Sequence, residues 1–139
     1  MFYFAGRSIA VSGAASGIGL ATARLLASNG ARISLADINP SVKTAAEAIP
    51  GSHMHTVVDV RDSEAVNTWI GSTVKRFGRL DGAVNMAGVL TPAKSLVETA
   101  DEDWDQSFAI NAKGIFNCLR AEIGAMSMGG SIVSEPLLI

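Results

Sequence analysis

The stretch "VSGAASGIG", running from Val11 to Gly19, constrains this chain more than any other. Before it lies a short apolar run, "RSIAVS" at Arg7 to Ser12. After it comes a segment that places Ile18, Ala21, Leu25 and Leu26 at helical spacing up to Asn29-Gly30. An apolar run closed by glycine reads as a buried strand, and Asn-Gly stops the helix that follows, set from Ser16 to Asn29. The glycines therefore sit in a turn from strand to helix. Gly13 permits the tight turn, Gly17 lets the backbone approach a ligand, and Gly19 lets helix and strand pack closely. Free N–H groups at the start of such a helix face an anion such as a pyrophosphate. Ordinary turns also carry glycines, but the strand–turn–helix context favours phosphate binding.

The alternation continues along the chain. "ARISLAD" is a second strand, Pro40 to Ala48 a helix ended by Pro50-Gly51, and "HMHTVVDV" a third strand. Asp62 to Phe77 is amphipathic, with Ala65, Trp69, Ile70 and Val74 on one side. "LDGAVNMAG" is a fourth strand, followed by the polar loop "VLTPAKSLVETAD", a long helix from about Asp103 to Met126, and "GSIVS" as a fifth strand. Strands alternating with helices imply parallel pairing with right-handed crossovers. The expected fold is α/β, a three-layer Rossmann-like arrangement in one domain spanning 1–139. Its parallel sheet has about five strands in the order 3-2-1-4-5, flanked by helices. Ligands on such a sheet bind beyond the carboxyl ends of the strands.

Composition narrows the class. With 48% apolar residues the chain is not disordered, and a formal net charge of −2 without a basic stripe points away from nucleic acid and membrane surfaces. Cys118 is the only cysteine, which rules out an intramolecular disulfide and fits a reducing compartment. The apolar N-terminus "MFYFAGRSIAV" lacks a basic start and a cleavage site, and no apolar run spans a bilayer. The expectation is a cytoplasmic protein.

Asp37 ends the second strand about twenty residues beyond the glycines. A carboxylate there can accept hydrogen bonds from an adenosine ribose diol and would repel a 2′-phosphate. Ile38, Asn39, Ala14, Ala15 and Ser16 offer no cation nearby, so NAD is favoured over NADP as cofactor. A helix-capping role before Pro40 is the alternative, and is compatible with the first.

These stretches together resemble the short-chain dehydrogenase/reductase family. "SGAASGIG" is similar to its cofactor loop, with Ser12 where threonine is usual. Asp59 and Val60 resemble its adenine-contacting pair. "NMAG" at Asn85 to Gly88 resembles its "NNAG" segment, with Met86 replacing the second Asn; "NAKG" at Asn111 to Gly114 resembles the segment carrying its catalytic Asn; and "GGSIV" resembles its fifth strand. The resemblance implies cofactor binding by Gly13, Ser16, Gly17, Ile18, Gly19, Asp37, Ile38, Asp59, Val60, Asn85, Ala87 and Gly88. It implies a catalytic role for Asn111.

The family's other catalytic residues are a Ser after strand five and a Tyr four residues before a Lys. The only tyrosine here is Tyr3 and no lysine follows Lys113. Ser134 precedes the family's serine position and is not assigned to it. The expectation is a truncated family member that binds NAD(H), with hydride transfer absent or very weak because the proton relay is missing. The tail "SEPLLI" departs from the family and suggests premature termination or alternative splicing. Two other functions fit the residues: a repurposed enzyme performing isomerisation, cyclisation or dehydration of a small molecule, and a non-enzymatic partner of a full-length relative.

The long helix carries Trp104, Phe108, Ile115, Phe116, Leu119 and Ile123, too many for one stripe. In the family this helix commonly builds a dimer interface. A homodimer or higher homo-oligomer is expected through helix 103–126 and the open strand-five edge. Cys118 reads as core. His53 and His55 alternate on a strand and share a face, without further metal ligands; no metal is expected. Asp101, Glu102, Asp103 and Asp105 favour a helix start.

Overall fold

The computed structural model describes residues 3–90 and 94–135. Parts of the loop after strand four (91–93) and of the tail "SEPLLI" (136–139) lie outside the described residues, as do residues 1 and 2.

How apolar each strand is follows from its place in the sheet. The chain runs β1 (Ser8–Ser12), α1 (Gly17–Ser28), β2 (Arg32–Asp37), α2 (Val42–Glu47), β3 (Met54–Val57), α3 (Ser63–Phe77) and β4 (Gly82–Asn85). A 3₁₀ turn (Leu96–Glu98) follows, then α4 (Asp101–Phe108), a π-helical turn (Ala109–Gly114), α5 (Ile115–Ala125) and β5 (Ser131–Ser134). All strands pair in parallel in the order β3-β2-β1-β4-β5. This is the expected Rossmann-like order. Central β1 is buried at every residue, whereas β3 and β5 at the two edges are buried only in part and in alternation. A central parallel strand has helices against both faces and must be apolar throughout; an edge strand need not be.

Side chains leave a strand alternately up and down, and this period of two builds two cores. Ile9, Val11, Ile33 and Leu35 point to one face and pack with Ala23 of α1 and with Val42 and Ala46 of α2. Ala10, Ala36 and Ala83 point to the other, where they meet Trp69 and Ile70 of α3 and Cys118 of α5. The small residues on this second face make room for the Trp69 ring, whose Nε1 donates to Ser34 Oγ at 2.8 Å. Ser34 Oγ in turn pairs with Thr73 Oγ1 at 2.7 Å, so these buried polar groups satisfy one another. Asp62 starts α3 by accepting the N–H groups of Glu64 and Ala65.

Several expectations change. The helix placed at 103–126 is two α-helices joined through the π turn, which inserts extra backbone at Asn111. Helix α1 buries only part of the stripe expected of it: Ile18 is 63% and Leu25 64% exposed, Leu26 packs partly buried against the core, and Gly19 and Ala23 are buried. Where α1 comes closest to β1, at Gly19, backbone leaves no room for a side chain. On α3, Val66 and Thr73 are buried with Trp69 and Ile70, while Ala65 and Val74 are partly buried against the same core. His53 lies before β3 rather than on it; its Nδ1 accepts the Ile33 N–H at 3.1 Å, which makes it a structural side chain. Among the described residues no helix is long and apolar enough to cross a membrane, and no cluster of metal-ligating side chains occurs.

Candidate functional site

Strand order reverses beside β1, whose neighbours are β2 on one side and β4 on the other. Crossovers leave the sheet in opposite directions there, so a crevice opens beyond the carboxyl ends of these strands. It is a cleft of about 360 Å3.

The glycine loop forms its floor. Gly13 has φ +66°, and a Cβ there would lie 2.7 Å from the Ala87 nitrogen; a Cβ on Gly19 would overlap the Gly13 carbonyl. Both positions are closed to any side chain because backbone meets backbone. Gly17 is different. Nothing lies within 4 Å of where its Cβ would stand, and the residue lines the cleft, so this space is open to a ligand. Ser16 precedes α1 without a side-chain cap bond, leaving the first-turn N–H groups available to an anion.

Of the residues singled out in the sequence, Gly13, Ser16, Gly17, Ile18 and Gly19 line the cleft. At one end it is walled by Asp37, Ile38, Asp59 and Val60, at the tips of β2 and β3, and at the other by Ala87 and Gly88 after β4. Two others do not line it. Asn85 is 1% exposed and sits in the core beneath it, and Asn111 lies behind the wall while its neighbour Ile110 lines it. The Asn111 side chain accepts the Val89 N–H and donates to the Val89 carbonyl, each at 2.8 Å. This two-point bond ties the π turn to the loop after β4.

Asp37 is held at the tip of β2 by backbone. Its Oδ2 accepts the Ala15 N–H and its Oδ1 the Asn39 N–H, both at 2.9 Å. The bond to Asn39 is the local turn role weighed from sequence, and the carboxylate lines the cleft as well. Asp59 is engaged by Arg61 through a 2.6 Å ion pair and further bonds. That side-chain bond holds the Asp59 carboxyl below its ordinary range, against an opposing desolvation effect. The loop carrying the pair is fixed from α5, where Asn117 Nδ2 donates to the Val60 carbonyl at 2.9 Å.

Sequence reasoning missed three features. Arg61 and Glu135 both line the cleft, Arg61 beside the β3 tip and Glu135 after β5. The "RD" after "DV" was a legible cation two residues beyond Asp59, but only folding places it in the same wall as Asp37. Glu122 was also overlooked, although it is fully buried. Burial pushes its carboxyl up to about 7, with a bond from Asn85 opposing. Cys118 is buried too, and desolvation pushes its thiol up to about 12, the chemistry of a packing residue.

A family model described as enoyl-(acyl carrier protein) reductase matches residues 13–135. The short-chain dehydrogenase/reductase aba4 of Botryotinia fuckeliana is 42% identical over 139 residues, which cover 94% of this chain and 54% of the relative. Chanoclavine-I dehydrogenase of Aspergillus fumigatus is 40% identical over 132 residues, covering 86% of this chain and 51% of the relative. The crystal structure of levodione reductase superposes with a TM-score of 0.90 at 30% identity, covering 94% of this chain and 54% of that one. The chain thus spans about half the length of the curated relatives it matches. The sheet order, the glycine loop at its switch point and the match over residues 13–135 place the chain in the short-chain dehydrogenase/reductase family.

Proposed function

We propose that this chain binds NAD(H) in the cleft and carries out little or no hydride transfer by itself. Members of the family generally bind NAD or NADP. The single observation that carries the choice of NAD is Asp37, whose carboxylate is fixed by two backbone N–H groups at the adenosine end of the cleft. A 2′-phosphate there would meet a fixed negative charge, and Arg61, the one cation among the described lining residues, is bound by Asp59. The residues fit the dinucleotide in another respect: the open space over Gly17 and the uncapped start of α1 suit a pyrophosphate.

In this reading the α1 N–H groups hold the pyrophosphate, Asp37 accepts from the ribose diol, and Ile38 and Val60 offer apolar surface to the adenine. A nicotinamide, if held beside Ala87 and Gly88 after β4, would supply or accept hydride. Asn111 positions the wall there through Val89. No tyrosine follows Tyr3 and no lysine follows Lys113, so within this chain the family's phenol–ammonium pair has no counterpart to move a proton at the substrate oxygen.

A second reading concerns assembly. Trp104 and Phe108 stack with ring centroids 4.3 Å apart on the outer side of α4, and Phe116 and Ile123 of α5 are more than half exposed. An apolar surface of this kind supports a homo-oligomer. Calorimetric titration with NAD⁺, NADH and NADP⁺, with light scattering on the same sample, tests both. Saturable NAD⁺ binding with much weaker NADP⁺ binding by a multimer is expected. A folded monomer that binds none of them at millimolar cofactor overturns the two readings together.

A further inference from the structure

Glu122 of α5 has no exposed surface, and its carboxyl is only half satisfied. Oε2 accepts from Asn85 Nδ2 at 2.9 Å, whereas Oε1 has no hydrogen-bond partner among the described residues. None of the ion pairs among the described residues involves it. Asn85 is the hub of what lies above. Its Nδ2 also donates to Ser134 Oγ at 3.2 Å, its Oδ1 accepts from Ser12 Oγ at 3.5 Å, and its backbone carbonyl accepts the Glu135 N–H at 3.1 Å. Ser12 Oγ in turn accepts the Ala87 N–H at 3.3 Å. One carboxyl on α5 therefore fastens, through Asn85, the ends of β1, β4 and β5. Ala87 and Glu135, both in the cleft wall, hang from this network.

We propose that Glu122 is a proton-linked positioning residue: as a neutral acid it clasps Asn85 and fixes the cleft wall after β4 and β5, and on ionising it loosens that wall. The physical reason is the unpaired Oε1. A neutral carboxyl leaves one buried polar atom without a partner among the described residues, but an ionised one leaves a buried charge with a single hydrogen bond and no cation, which is far costlier. Ionisation strengthens the bond from Asn85, but the buried charge gains more by admitting water.

The elements packed against Glu122 supply no competing charge, and Glu135, tied to Asn85 through its backbone, lines the cleft. The buried face of α3 consists of Val66, Trp69, Ile70, Thr73 and Phe77, and neither β4 nor β5 contains an ionisable side chain. On its own side, Lys113 and Arg120 point to solvent, and Cys118, one turn back, keeps its proton throughout the neutral range. Burial places the Glu122 carboxyl near 7, well above its value in an unfolded chain. A carboxyl raised in the folded state binds its proton more tightly there. Its contribution is complete below the ordinary glutamate range and is lost as pH rises through about 7. If the dinucleotide reading above holds, affinity for NAD⁺ weakens over the same interval.

The test uses the chain and Glu122→Gln across about pH 5.5 to about pH 8.5, bracketing that value. Amide-exchange protection factors at Ala87 and Glu135 are measured without cofactor, and NAD⁺ affinity by calorimetry. The wild-type protection factors and affinity should both fall several-fold as pH rises through neutrality, with Glu122→Gln flat. Protection factors that follow the same course in both proteins overturn the proposal. Titrating protection in a wild type that binds no NAD⁺ at any pH upholds the clasp and removes the dinucleotide reading instead. Should Glu122→Gln not fold, a carboxyl carbon NMR titration of the wild type decides: a Glu122 midpoint near neutrality supports the clasp, and one in the ordinary glutamate range overturns it.

Discussion

Trp69 carries the second core, and replacing it separates apolar burial from hydrogen bonding. The ring is fully buried between α3 and the sheet, and its Nε1 donates to Ser34 of β2, three residues before Asp37. Trp69→Ala removes the whole ring and leaves a cavity, at a cost of about 3–5 kcal/mol. Since domains of this kind are stable by about 5–15 kcal/mol, that is a large share of the total. Trp69→Phe retains most of the buried carbon and loses one hydrogen bond worth about 1 kcal/mol. Ser34 Oγ stays paired with Thr73, so no polar group is orphaned, and the expected total is about 2 kcal/mol including imperfect packing. Urea unfolding followed by far-ultraviolet circular dichroism reads both values, with an unchanged denaturant slope as the check that only stability moved. A Phe variant as unstable as the Ala variant would show that the polar contact, and not ring burial, holds α3 to the sheet, and would refute the reasoning.

Other outcomes follow from the site. Gly19→Ala forces a methyl group into the Gly13 carbonyl; NAD⁺ binding should be lost while circular dichroism still reports the sheet, and unaltered affinity would sink the role given to the loop. Asp37→Ser removes the fixed negative charge at the β2 tip, so the preference for NAD⁺ over NADP⁺ should fall by at least about tenfold, on the scale of a lost charged contact. An unchanged ratio in calorimetry would mean that the carboxylate does not face the ribose. Trp104→Glu places a charge in the exposed aromatic pair of α4; light scattering should show dissociation toward monomer, and an unaltered mass would move the interface elsewhere.

The fold was largely legible because alternating apolar runs and amphipathic segments leave few arrangements once crossovers are right-handed. The phosphate end of the cleft was legible for a similar reason: Gly13 and Gly19 are dictated by local backbone contacts that follow from a strand–turn–helix. Less legible was the face of α1, where Ile18 and Leu25 looked like core and are exposed. Where the helix meets the strand this closely, at Gly19, small residues occupy the contact, and Leu20 and Leu26 are only partly buried against the core. The π turn within 103–126 was hidden too: an inserted residue turns the apolar stripe about the helix axis, which in the sequence reads only as a face too wide for one stripe.

The sequence by itself determined the element order, the parallel sheet, the glycine loop and the carboxylate that closes β2. Each is set by residues close together in the chain, through local conformation and period. Only the tertiary structure decided that Asn85 lies beneath the cleft, that Arg61 and Glu135 stand in its wall, and that Glu122 is buried against Asn85, 37 positions away. Those roles depend on which side of a distant element a residue meets and on how much water remains there. Burial and partnership of that kind arise only when separated segments pack together.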